Sequence, residues 1–370
     1  MTDDINLVSV LCEKWNTMPQ AFWRDGSVNY YERYTRIAEF LNQRIHPHTV
    51  EGALAAQIAR VEEAVKKGIS GSALLDIVMQ NNSWLTDHGP EHVKTVILRA
   101  SKLLSASHCA LYPYEIYILL VAIHFHDVGN IYGREEHEKQ IAKVMSTMDE
   151  SIIGNDDFEK RLIRSIAAAH GGSVNGDQDT IRHLPYQRFV KAQKVRPHLL
   201  AAVLRFADEL AEDYTRASRF ALENNLLLQA SAVYHQYAER LREVNIEDGT
   251  IDIYFELNKD IATRQFAKGE KQTFLLDEIF DRTLKIHREH VYCMRYMREH
   301  INLNSISVRI AIFKTDYMEE LLKLDYKMEE RGYPPKPVRG IHDICDNLKD
   351  TDGNLITGDI LRLRIEAIQG

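Results

Sequence analysis

Residues 116–130 read IYILLVAIHFHDVGN, and the architecture of the chain can be worked out from them. Ile116, Leu119, Leu120, Val121, Ala122 and Ile123 are apolar on almost every face of a helix running from Tyr114 to Val128. Such a helix belongs at the centre of a bundle. Gly129 is a natural C-terminal stop. Asp127 follows Ile123 by one turn, so a carboxylate points inward. A buried carboxylate without a partner costs on the order of several kcal/mol, and a divalent cation is the simplest partner. His126 and Asp127 lie about 100° apart on the helix and can converge on one ion.

The same combination recurs on either side. His92 borders the stripe Val93, Val96, Ile97, Ala100, Leu103 and Leu104 in a helix beginning at Pro90. His137 shares a face with Ile141, Val144 and Met148, and His170 follows Ile163 by seven and Ile166 by four. Asp208 follows Leu204 by four and Ala201 by seven. Any one buried polar residue is more often a satisfied core residue. Five ligand types on the apolar faces of five helices point to a metal site inside a helical bundle.

The pattern His92, His126-Asp127 and Asp208 resembles the HD superfamily of metal-dependent phosphohydrolases. The fragments HVKTVILRASKLL, AIHFHDVGN, REEHEKQIA, SIAAAHGG and LLAAVLRFADEL carry the likeness over residues 84–214. The resemblance implies that His92, His126, Asp127 and Asp208 hold a first metal. His137 and His170 match positions where two-metal members add ligands, with Asp127 bridging. His88 is an alternative to His92, although Gly89-Pro90 separates it from the helix. Where many members carry His-Asp-x-Gly-Lys, this chain has Asn130, so another cation must balance a phosphate. Beyond the bundle the chain looks like the extended HD modules fused to chaperone-type ATPases in bacterial conflict systems. A second His-Asp, His342-Asp343, lacks downstream partners and reads as a surface turn.

The expected fold is therefore mainly α: an HD-type bundle over residues 76–215, preceded by a helical segment (1–75, including a helix over 53–67) and followed by an α+β region (216–370). In that last region Val244–Ile246 and Ile251–Leu257 flank Asp248-Gly249 as in a hairpin. A helix over 274–300, a strand over 305–313, an extended proline stretch at 333–337 and a last strand over 360–368 should follow.

The ligand set of imidazole and carboxylate suits one or two divalent ions, Mn²⁺, Mg²⁺, Fe²⁺, Ni²⁺, Co²⁺ or Zn²⁺. An ion there lowers the pKa of water toward 7. Asp127, His126 and Asp208 are the expected catalytic centre, and the chain has no nucleophile elbow or phosphate-binding loop. Residues 181–198 contain Arg182, Arg188, Lys191, Lys194 and Arg196 and no acid. Arg188, Lys191, Lys194 and Arg196 are therefore expected to hold substrate phosphate as an electropositive lid, with Tyr186 and Phe189 available for stacking; a solvated surface is the alternative. Arg205 is expected to pair with Glu209. His287 and His290, i, i+3 on a charge-rich helix, are expected on a solvated face. His46-Pro-His48 reads as an exposed turn. Asp350–Asn354 reads as a turn, since it fails the calcium-loop pattern.

The net charge of −8 argues against a broad basic surface for duplex nucleic acid. The apolar run is too short for a membrane span, no secretory signal is visible at Met1, and four scattered cysteines fit a reducing cytoplasm. The implied substrate is a small phosphorylated molecule, a nucleotide or cyclic nucleotide. Alternatives are a nuclease for short single-stranded nucleic acid, a non-catalytic ligand-sensing or partner-binding module, and more remotely a di-iron oxygenase.

Overall fold

The computed structural model describes residues 6–15, 29–44, 90–106, 110–132, 136–212, 232–315, 318–330, 338–349 and 353–368. They form two compact units. The first takes its described residues from within 1–211 together with 293–301; the second takes them from 212–292 and 302–370.

The first unit is helical. In chain order it contains α1 (Leu7–Trp15), α2 (Tyr30–Arg44), α3 (Pro90–Ala106), α4 (Pro113–Phe125), α5 (His137–Ser146), the single turn α6 (Glu150–Ile153), α7 (Asp157–Ala168) and α8 (Pro197–Glu209). α4 is the central helix: every residue from Tyr114 to Phe125 is buried. It is contacted by α1, α2, α3, α7 and α8. α1 and α2 supply Leu7, Leu11, Ile37 and Leu41 to this core, so the N-terminal helices belong to the bundle instead of standing apart from it. The helix ends follow local rules. Pro113 and Pro197 open α4 and α8, and the Asp156 carboxylate caps α7 by accepting from the Phe158 and Glu159 amides.

Between α7 and α8 the basic segment folds as a two-stranded hairpin, β1 (Arg188–Val190) and β2 (Gln193–Val195). Lys191 and Ala192 turn it, both with positive φ, as a two-residue hairpin turn requires. Val190 and Val195 are buried, while Arg188, Phe189 and Lys194 are exposed.

The second unit contains α9 (Ala232–Arg240), β3 (Leu241–Glu247), β4 (Thr250–Asn258), α10 (Lys259–Thr263), β5 (Gln265–Lys268), β6 (Lys271–Phe274), α11 (Leu275–Met297, whose last turns belong to the first unit), β7 (Ser305–Phe313), β8 (Glu320–Glu329) and α12 (Gly358–Ile368). The four-stranded sheet has the order β3-β4-β7-β8. β3 and β4 form the expected hairpin, with Asp248 and Gly249 at positive φ. β4 and β7 are parallel, from Thr250 opposite Ser305 to Asn258 opposite Phe313, so a crossover must join them. α10, the β5–β6 hairpin and α11 provide it. α11 packs on the sheet through Thr283, whose hydroxyl lies 2.8 Å from that of Tyr326, and through Phe280 against the same ring.

Two expectations for this unit are corrected. Residues 360–368 are helix, not strand. Leu361 and Ile365, four apart, are the buried pair, and Arg362 bridges Asp359 and Glu366 along the exposed side. Gly358 opens this helix so close to Phe274 that a Cβ would stand 2.1 Å from that ring's own Cβ. His287 and His290 are also buried, not solvated; His290 Nε2 lies 3.0 Å from the Leu303 carbonyl. The segments 46–48, 53–67, 333–337 and 350–352 lie outside the described residues. His342-Asp343 is a turn as expected, its carboxylate accepting from the Arg339 and Gly340 amides.

Candidate metal centre

The five helices anticipated from the sequence bring their polar residues to one place. His92 comes from the first turn of α3. His126 and Asp127 follow α4, His137 opens α5, His170 follows α7, and Asp208 lies in the last turn of α8. His92 Nε2 is 3.1 Å from Asp208 Oδ1 and 3.8 Å from Asp127 Oδ2. His126 Nε2 is 3.3 Å from Asp127 Oδ2 and 3.5 Å from Asp208 Oδ1. The other oxygen of Asp127, Oδ1, faces His137 Nε2 at 3.2 Å and His170 Nε2 at 3.7 Å. Asp127 therefore stands between two ligand groups, His92 with His126 on one side and His137 with His170 on the other.

Local geometry aims the imidazoles. His126 Nδ1 lies 2.6 Å from the Ile123 carbonyl, and His170 Nδ1 lies 2.7 Å from the Ala167 carbonyl. A carbonyl only accepts, so each ring carries a proton on Nδ1 and turns Nε2 to the centre. Gly129 is required by close approach: a Cβ there would meet the His137 carbonyl oxygen at 1.9 Å. The glycine of the His-Asp-Val-Gly motif thus lets the start of α5 lie against the turn after Asp127.

The charges are those of a cation site. Burial pushes the His126 pKa down, but the Asp127 and Asp208 carboxylates outweigh it and hold it well above the usual imidazole range. Burial would raise Asp208, yet hydrogen bonds and charge from His126 and His92 hold it well below the usual carboxylate range. His170, buried and beside His126, is pushed down. Two carboxylates and four imidazoles fit one or two divalent ions, with borderline nitrogen and hard oxygen donors and no thiolate.

The HD-CE family model matches residues 84–301. The chain belongs to the HD-CE family. The HD-CE match runs from the metal-centre helices through the β3–β4 hairpin and α11, further than the likeness at 84–214. It is the extended HD type of the conflict systems. Comparison with the curated proteins and with the solved structures gives no match. No helix among the described residues is long and apolar enough to cross a membrane.

The basic segment is corrected. Arg196 caps α8 and Asp208 lies twelve residues further on, so about 18 Å of helix separates them. Arg196 is bound at that far end to buried Glu115, through Nε at 2.9 Å and its terminal nitrogen at 2.5 Å. Lys191 reaches Glu159 at 3.4 Å and Asp156 at 3.7 Å, at the first turn of α7, while His170 follows the last turn of the same helix. These two cations neutralise buried carboxylates and are out of reach of a phosphate at the metal centre. Arg188 and Lys194 are exposed on the same distant hairpin.

Arg205 donates to Thr180 Oγ1 at 3.1 Å, and that hydroxyl donates to the Ala169 carbonyl at 2.7 Å. Its guanidinium thus lies by the residue preceding His170, a contact that its place three residues before Asp208 did not reveal.

Proposed function

We propose that this HD-CE protein is a metal-dependent phosphohydrolase or phosphodiesterase whose substrate is a nucleotide or a related small phosphate ester. The observation that carries this reading is Asp127, with Oδ2 toward His92 and His126 and Oδ1 toward His137 and His170. His92, His126, Asp127 and Asp208 would hold a first ion; Asp127, His137 and His170 would hold a second. Divalent ions there would polarise a phosphoryl oxygen and lower the pKa of water.

The protein's own contribution is positioning. The Ile123 and Ala167 carbonyls hold two imidazoles in the ligating tautomer, and Gly129 sets the distance of a third. Asp208, about a quarter exposed, opens the site to solvent on its side. Arg205 supplies the cation for a phosphate that neither Asn130 nor the hairpin supplies. A second reading, a nuclease for short single strands, is favoured by the exposed Phe189, Arg188 and Lys194. They are too far away for a mononucleotide at the centre but suited to the flank of a longer strand.

The test is product analysis. Purified protein with Mn²⁺ is given nucleotides, cyclic nucleotides and short single-stranded oligonucleotides, with Asp127→Ala as control. Product from the small substrates, absent with the variant, supports the phosphohydrolase; product from oligonucleotides alone selects the nuclease. No product from protein shown to carry metal overturns both, in favour of a sensing or partner-binding module.

A further inference from the structure

Three histidines of the centre differ in what lies behind them. His126 and His170 both stand at the C-terminal ends of helices, where the carbonyl three residues earlier accepts from Nδ1. His137 is the first residue of α5 and so stands at the opposite kind of helix end. What faces His137 Nδ1 is a carboxylate: Glu138 Oε2 lies 3.6 Å away, and that side chain is only 10% exposed.

The Glu138 carboxylate is also confined from outside. Gly172, two residues beyond His170, has φ +68°, and a Cβ there would stand 2.2 Å from Glu138 Oε1. A side chain at 172 would occupy the carboxylate's place. The turn after one ligand therefore leaves room for the residue beside another.

The protons show why this matters. His137 Nε2 and His170 Nε2 lie 3.1 Å apart, and both face Asp127 Oδ1. The His170 proton is on Nδ1, given to the Ala167 carbonyl. For His137 to ligate through Nε2 as a neutral imidazole, its proton too must stand on Nδ1. The group placed to receive a hydrogen bond from Nδ1–H is Glu138.

We propose that Glu138 is a positioning residue for the second ion: it orients His137 and stabilises its Nδ1–H tautomer, as a carboxylate behind a metal-ligating histidine does. This rests on the two-ion reading above and adds a residue that neither the spacing nor the helix faces had singled out.

The experiment measures Mn²⁺ stoichiometry by calorimetry and elemental analysis, and spin coupling by electron paramagnetic resonance, on the full chain. Wild type should bind two ions with a coupled signal. Glu138→Ala should keep the first ion at wild-type affinity, weaken the second about 10- to 100-fold, and show an uncoupled signal at limiting Mn²⁺. Glu138→Gln, which keeps an acceptor oxygen, should recover part of the second-site affinity. Two ions bound by Glu138→Ala at wild-type affinity would overturn the proposal. So would equal loss of both ions from Glu138→Ala and Glu138→Gln while both remain folded by circular dichroism, since that marks a general structural role. If Glu138→Ala does not fold, Glu138→Gln decides alone: wild-type affinity or equal loss of both ions overturns the proposal, and selective weakening of the second supports it. Wild-type protein that binds no Mn²⁺ would instead remove the two-ion reading and this inference with it.

Discussion

Arg196→Met separates a structural role for that arginine from a substrate role. In the wild type Glu115 is completely buried, and Arg196 gives it two side-chain hydrogen bonds, at 2.9 and 2.5 Å. Bonds to charged groups contribute about 1.5–3 kcal/mol each, so the gross loss is roughly 3–6 kcal/mol. Two backbone donors remain, the amides of Tyr112 at 3.0 Å and Arg196 at 2.9 Å. The carboxylate also keeps its place in the first turn of α4, where the helix dipole favours it by about 0.3–1 kcal/mol. These hold the net loss near the lower limit for breaking a buried pair, about 3 kcal/mol. At about 2–4 °C per kcal/mol for a unit of this size, the melting temperature should fall by roughly 6–12 °C. Adding Glu115→Gln should recover part of it, because no unpaired charge is then left inside. The assay is thermal unfolding by circular dichroism, beside KM for the substrate found by product analysis. An unchanged melting temperature with a KM raised tenfold or more would refute the argument and return Arg196 to the substrate.

Two further outcomes follow from particular contacts. Gly129→Ala places a methyl 1.9 Å from the His137 carbonyl oxygen, a backbone atom that cannot rotate away. The variant should lose the second ion and keep the first, with kcat lowered at least tenfold, as seen by metal analysis and steady-state kinetics; two ions and full kcat would show that α5 does not depend on this approach. His287 is pushed down to about 4 by burial and by neighbouring His290. The unfolded chain, with an ordinary imidazole near 6.5, binds that proton first. Stability should therefore be fully present above about pH 6.5 and should decline as pH falls toward about 4. Urea titrations across that window should show the slope, and His287→Leu should reduce it.

The clustering of His92, His126, Asp127, His137 and His170 was legible in the sequence because its signal is a contradiction within single helices. A histidine or aspartate on a stripe of valine, leucine and isoleucine needs an explanation, and helix periodicity alone exposes it. The partners of Arg196 and Lys191 were not legible. Glu115 lies 81 residues before Arg196, Glu159 lies 32 residues before Lys191, and only packing places the residues together. A run of cations without acids looks like a binding surface until the acids arrive from other helices. Residues 360–368 failed for a different reason: IEAI and LRLR satisfy a period of two nearly as well as 3.6, and nine residues are too few to decide. His287 and His290 were hidden by the charges of α11. Arg282 among them is itself drawn inward, to Glu212 and Glu278.

The orientation of three helices connects these findings. Glu115, Glu159 and Arg196 lie in the first turns or at the caps of α4, α7 and α8, and meet at one end of the bundle. His126-Asp127, His170 and Asp208 lie at the last turns of the same three helices and meet at the other. The helices are therefore parallel, and their dipoles add: positive ends toward Glu115 and Glu159, negative ends toward Asp127 and Asp208. Each end also holds carboxylates, Glu115, Glu159 and the capping Asp156 at the first, Asp127 and Asp208 at the second. At the first end, Arg33 (2.7 Å from Glu159), Lys191 and Arg196 balance them with fixed cations, and Tyr114 donates to Glu159 at 2.6 Å. At the second end the carboxylates face four imidazoles, which are neutral when they ligate through Nε2. Three negative helix ends and two carboxylates there favour a cation more strongly than the ligand list alone suggests, and a divalent ion would supply the charge that arginine and lysine supply at the opposite end. The same packing that keeps the basic hairpin away from this cluster thus makes the cluster fit for a metal.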